Sequence, residues 1–223
     1  MRQRGIVFVV FLLCPGWMSG VFADASWDVE SGAWSVGSNW DVGRTPDATD
    51  SYIYIRKSST SVCTLNTNEG LFSARLVMQN GQTLNIENGG SIGTQWARVG
   101  RESAAYVNMA GNAAFVMNDD DLYIGLENGT CVWTMAGISS LTAYSADENP
   151  DELYIGYRGG KGTLKLVGSG LTVQADALYL GSGDGEWSSP QATLEFVLDA
   201  GGGSTIITGS TSIASVGSAH LVL

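Results

Sequence analysis

One phrase returns along this chain. Leu122-Tyr123-Ile124-Gly125 reappears as Leu153-Tyr154-Ile155-Gly156 and as Leu178-Tyr179-Leu180-Gly181, and Ala97-Arg98-Val99-Gly100 is a weaker, earlier copy. The glycines stand at 100, 125, 156 and 181, so the steps are 25, 31 and 25 residues. A near-constant step with variable filler marks stacked structural repeats. One such repeat cannot bury its apolar face alone; it stacks on its neighbours and builds a core along an axis. Between the anchors lie short alternating strands, such as Leu164-Lys165-Leu166-Val167 and Leu171-Thr172-Val173, with Gly, Asn, Asp and Ser at the corners. Three strands and three corners fit one step, and the chain after its opening segment shows no sustained helical period. Short, evenly spaced strands would also suit a sandwich. The return of one phrase per step favours an all-β, single-stranded parallel β-helix (β-solenoid) with coils of about 25 residues.

The opening segment is of another kind. Met1-Arg2-Gln3-Arg4 is basic, residues 6–14 are apolar, Pro15-Gly16 breaks the run, and the small residues Ala23 and Ala25 follow. This is the layout of a secretory signal peptide over residues 1–23. Nine apolar residues are too few for a span, which needs about 20. Removing residues 1–23 takes away Arg2 and Arg4 and leaves 9 Lys+Arg against 22 Asp+Glu, a net charge of −13. Such a balance opposes nucleic acid and anionic membranes as partners, and it suits solubility, cation binding or contact with a neutral polymer. Cys63 and Cys131 sit in apolar strands and read as small buried side chains rather than a disulfide, since several coils separate them.

Residues 24–60 read as an N-terminal cap with a first strand. Trp27, Trp34 and Trp40 lie in the run from Ser26 to Trp40, followed by Gly43, Pro46, Asp50 and the alternating strand Tyr52-Ile53-Tyr54-Ile55. An open solenoid end exposes core and unpaired strand edge, so it needs such a plug. This Trp-Ser…Asn-Trp block, then Gly-x-x-Pro-x-x-x-Asp and a strand, resembles the opening of secreted bacterial β-helix proteins of the autotransporter-repeat-like and PEP-CTERM types of planctomycetes and verrucomicrobia. The stretch from Gly162 to Val173 is similar to their repeats. The resemblance implies a parallel β-helix passenger on or outside the cell. Residues 61–223 are then the solenoid coils. Ala219-His220-Leu221-Val222-Leu223 reads as mid-strand, so the coils are expected to continue beyond it, with end-to-end self-association as the alternative.

Candidate chemistry is sparse. Acidic corners precede or follow the anchors: Asn118-Asp119-Asp120-Asp121, Asp147 to Glu152, and Asp184-Gly185-Glu186. Asp121 and Glu152 share one slot and should lie about 5 Å apart if coils stack in register. Such a pair repels or shares a cation such as calcium, but no calcium-loop motif accompanies it, and solvated turns with ordinary pKa values are the simpler reading. The Gly-His-Gly and Arg-x-Lys motifs of pectin hydrolases are missing, His220 has no evident partner, and Arg158 to Lys161 reads as an exposed turn. The chain therefore assigns no catalytic, cofactor-binding or metal residue. Tyr123, Tyr154 and Tyr179 recur at one outward slot and form a ladder that either stiffens the sheet or grips a glycan or another protein. The expectation is a non-catalytic, secreted or cell-surface structural or adhesive module. Its alternative is a carbohydrate-binding or polysaccharide-degrading β-helix, with extracellular polysaccharide or surface proteins as partners.

Overall fold

The computed structural model describes residues 23–57, 60–143, 151–183, 190–197, 205–213 and 218–222. The signal segment, the corner at 147–150 and the corner at 184–186 fall outside the described residues. What is described is all-β, with one 3-10 turn at Gly37–Asn39.

The strands follow one another in units. They are β1 (Ala23–Ser26) and β2 (Ser31–Ala33); β3 (Asp50–Ile55) and β4 (Val62–Leu65); β5 (Asn68–Met78) and β6 (Gln82–Ile86); β7 (Ser91–Arg101) and β8 (Ala104–Met109). Then come β9 (Ala114–Met117), β10 (Leu122–Leu126) and β11 (Thr130–Ala136); β12 (Ser140–Ala143), β13 (Glu152–Tyr157) and β14 (Lys161–Val167); β15 (Thr172–Ser182) and β16 (Gln191–Val197); β17 (Thr205–Ile213) and β18 (Ser218–Val222). The last strand of every unit belongs to a second sheet, ordered β18-β16-β14-β11-β8-β6-β4-β2, and the others belong to a first sheet. All pairings between these strands are parallel, each strand bonding its counterpart one unit away. Three strands per unit were expected. Here β5, β7, β15 and β17 run through what β9–β10 and β12–β13 break into two, so one of the three corners is a bend within the first sheet.

Side chains alternate as period two requires. Leu122 and Ile124 are fully buried, as are their partners Leu153 and Ile155, and Tyr123 between them points outward. Each inward Leu or Ile contributes about 2 kcal/mol of burial, and identical residues at equal depth pack as columns. Trp133 and Phe115 meet edge to face at 4.9 Å inside. Cys63 and Cys131 are both buried and free. Three register steps separate their strands (β4, β6, β8, β11), about 14 Å, beyond any disulfide.

The recurring glycine has a steric cause. Gly100, Gly125 and Gly156 have φ of 74°, 77° and 67° where the first sheet turns into the second. A Cβ there would meet the backbone oxygen of Thr130, Lys161 or Gln191 at 2.3, 2.4 or 2.0 Å. These carbonyls open the next unit's strand in the second sheet, so consecutive units touch backbone to backbone at this corner.

At the other end of both sheets β1 and β2 are the outermost strands. There Trp27, Trp34 and Trp40 are almost wholly buried and meet edge to face, with centroids 5.2 and 4.7 Å apart. The Trp40 indole donates to the Trp34 carbonyl at 2.8 Å. Asp50, the acid of the Gly-x-x-Pro-x-x-x-Asp motif, is a buried carboxylate gripped by both Arg44 terminal nitrogens (2.8 and 2.7 Å) and by the Asp47 amide (2.9 Å). It ties the loop before β3 in place.

Candidate functional site

The outer surface of the first sheet gathers most of the aromatic and arginine side chains that are not in the core. Two columns run along it. One carries Tyr52, Arg75 and Trp96 in register, with Asp121 and Glu152 beyond them. The other carries Tyr54, Val77, Arg98, Tyr123, Tyr154 and Tyr179.

In the later units the tyrosines stack as the repeat foretold. Tyr123 and Tyr154 are 5.0 Å apart and nearly parallel, and Tyr154 and Tyr179 are 4.8 Å apart. Tyr157 leans on both Tyr123 and Tyr154, at 5.4 and 4.6 Å. Each interior ring therefore spends its faces on its neighbours. The hydroxyls turn to carboxylates: Tyr123 donates to Asp121 at 2.7 Å, Tyr154 donates to Glu152, and Tyr179 reaches the other Glu152 oxygen at 3.3 Å. Asp121 and Glu152 do adjoin, since the Glu152 amide donates to Asp121 at 3.2 Å. The Asp121 carboxyl is not ordinary, contrary to the expectation of solvated corner acids. Burial pushes it up to about 6, with the charges of Asp120 and Glu152 adding and the Tyr123 hydroxyl opposing. Burial and the carboxylate contacts raise the Tyr123 and Tyr154 phenols.

In the earlier units the same columns are built differently. The Arg56 guanidinium lies 3.6 Å from the Tyr54 ring centre, and Arg98 lies 4.4 Å from Trp96 and 5.9 Å from Tyr123. Arg75 sits between Tyr52 (5.3 Å) and Trp96 (5.8 Å). It donates through Nε to Gln95 at 3.1 Å and through Nη1 to the Tyr52 hydroxyl at 3.2 Å. Gln95 in turn donates to Asp119 at 2.7 Å. Arg75 and Gln95, with Ser51 and Ser73, line a shallow groove of about 240 Å³. Arg44, Arg101, Arg158 and Lys165 each pair with a carboxylate. Among the described residues Arg56, Arg75 and Arg98 pair with none, and the Arg98 Nε is buried without an acceptor.

The other sequence candidates are scattered. The cap tryptophans are core and offer no face to a ligand. Arg158 occupies a left-handed turn position (φ 48°) near Glu127, Lys161 opens β14 on the surface, and His220 lies in β18 opposite Thr193. Among the described residues no group of three or more His, Cys, Asp or Glu side chains is placed to hold a metal ion, and no helix is long and apolar enough to cross a membrane. Sequence reasoning missed Arg56, Arg75 and Gln95. It placed Arg98 in the tyrosine slot of the weak first copy without asking what an arginine does there. Comparison with known proteins finds no matching family model, curated protein or solved structure.

Proposed function

We propose that the chain is a β-solenoid scaffold, a non-catalytic structural or adhesive module that works outside the cell. The observation that carries this reading is the parallel stacking: among the described residues eight units, each bonded to the next in two sheets, with register shifts only in β1–β3 and β5–β7. Such an array is stiff along its axis, because bending it would open ladders in both sheets together. The stacked tyrosines support the same reading. Their faces are occupied by one another, so they stiffen the sheet rather than offer a platform for sugar rings.

The reading is tested on purified residues 24–223. Small-angle scattering should give a compact particle that measures about 40 Å along the stack, eight units at about 4.8 Å each. Incubation with plant, algal and bacterial polysaccharides should release no reducing ends. A cell lacking the protein should secrete normally yet attach less firmly to surfaces. New reducing ends would replace the scaffold by the polysaccharide-degrading alternative, and unchanged attachment would remove the adhesive role.

A further inference from the structure

We propose that the earlier units carry a binding site for acidic polysaccharide, in which Arg56, Arg75 and Arg98 receive the carboxylate or sulfate groups of the chain. The site adds a ligand to the scaffold and does not depend on the adhesive reading.

The first argument is charge. The chain has twice as many acids as bases, 22 against 11. In such a surplus a basic side chain readily finds a carboxylate, as Arg44, Arg101, Arg158 and Lys165 do. Arg56, Arg75 and Arg98 sit in three successive units of one sheet face and are held by aromatic rings instead. Aromatic faces orient a guanidinium and attract it without neutralising it. Three oriented, unneutralised guanidinium groups are therefore left for an external anion. The negative net charge slows the approach of a polyanion, but within about 8–10 Å of the surface the local cations dominate.

The second argument is the groove. Ser51, Ser73, Arg75 and Gln95 supply hydroxyl, amide and guanidinium groups to one shallow polar depression. Ser73 is already committed to the Ala48 carbonyl at 2.5 Å, and Gln95 to Arg75 and Asp119. The Ser51 hydroxyl and the second terminal nitrogen of Arg75 are uncommitted among the described residues. A polar lining suits sugar hydroxyls and an acidic substituent better than an apolar protein side chain, which would leave these groups unpaired. The three arginines do not share a column: Arg75 is in register with Tyr52, Arg98 with Val77 and Tyr54, and Arg56 follows the end of β3, so their guanidinium groups are spread over the face both along the stacking axis and along the strands. Cations spread over three units suit a chain that carries several acidic groups better than a single compact anion.

Calorimetric titration of residues 24–223 with oligogalacturonate, heparin oligosaccharide, neutral dextran and polyglutamate tests this. One or both acidic glycans should bind, and which one does assigns the carboxylate or the sulfate. Dextran and polyglutamate should not. Arg75→Gln with Arg98→Gln should weaken binding about 100-fold, roughly tenfold per charge-assisted contact. Arg56→Gln, on an exposed side chain, should weaken it several-fold while the protein stays folded, which keeps the test valid if the double variant folds poorly. No binding of either acidic glycan, or binding that ignores all three substitutions, overturns the proposal. Equal binding of polyglutamate overturns the glycan assignment in favour of an acidic protein partner.

Discussion

The two halves of one sheet face share a backbone and differ in chemistry. In the units around β3, β5 and β7, Tyr52 stacks on Tyr54 at 5.5 Å, and the rings also meet guanidinium groups that pair with no acid among the described residues. In the units around β10, β13 and β15, the tyrosines stack on one another, the nearby Arg158 over Tyr157 is paired with Glu127, and acids stand in the adjoining column. One half is left cationic and open to a ligand. The other satisfies itself, and its unresolved tension is a pair of neighbouring carboxylates. The comparison teaches that the face of a parallel sheet is specified column by column, and that the corners impose nothing on what the columns carry.

If the scaffold is common to both halves, its corners must fail alike. Gly100→Ala below the arginine half and Gly125→Ala below the tyrosine half should each cost about 3 kcal/mol or more in chemical denaturation, because a positive φ and a backbone collision coincide. A cost at only one of them would break the comparison at its base.

The carboxylate pair should give the later half a pH dependence. The folded Asp121 carboxyl, at about 6, binds its proton more tightly than the unfolded one at about 4. Its stabilisation is full below about pH 4 and is lost as pH rises through about 6. Allowing for solvent screening, Asp121→Asn should stabilise the protein by about 1–2 kcal/mol at pH 7.5 and flatten that part of the melting profile between pH 4 and 7. A profile unchanged by the substitution would remove the tension described above.

The hydroxyls sharpen the contrast further. Tyr154→Phe removes a donor to Glu152 and should cost about 1 kcal/mol. Tyr54→Phe should cost nothing measurable, because among the described residues the Tyr54 hydroxyl has no hydrogen-bond partner. Equal effects would mean that the carboxylate contacts contribute little. The arginines should contribute less than the Tyr154 hydroxyl. Arg98→Gln should lower stability by about 0.5–1 kcal/mol, the scale of a cation–π contact, at any ionic strength. A large, salt-sensitive loss would instead reveal an ion pair and remove the reason to expect a ligand.

Much of the fold was legible because inward positions repeat the same residues. Leu122, Leu153 and Leu178 announce a column, and the glycine after each phrase announces a corner. The tyrosine ladder was legible for the same reason. The arginine half was not. From Tyr54 to Val77 to Arg98 the steps are 23 and 21 residues, and the three residues share no chemistry, so nothing in the chain says that they occupy one column. Neither is the raised Asp121 carboxyl written in the run of three aspartates. It depends on how far the Tyr123 ring and the neighbouring strand cover that oxygen, which is a property of stacking rather than of composition. The acid of the Gly-x-x-Pro-x-x-x-Asp motif is the reverse case. The motif was visible, and its cause, a buried carboxylate gripped by Arg44 and the loop amide, became visible only with the loop folded.

The glycine corner also bears on assembly. A chain of similar strands can pair with the wrong repeat without burying much less apolar surface, whereas a slip of one residue turns every inward side chain outward. At this corner a slip of one residue brings a leucine or a tyrosine up to a carbonyl that lies only 2.0–2.4 Å from the place of a first side-chain carbon. A misaligned unit therefore cannot close against its neighbour, however apolar its strands. The seam is therefore a gauge of alignment between neighbouring units that responds to how closely two backbones approach and not to how apolar the strands are.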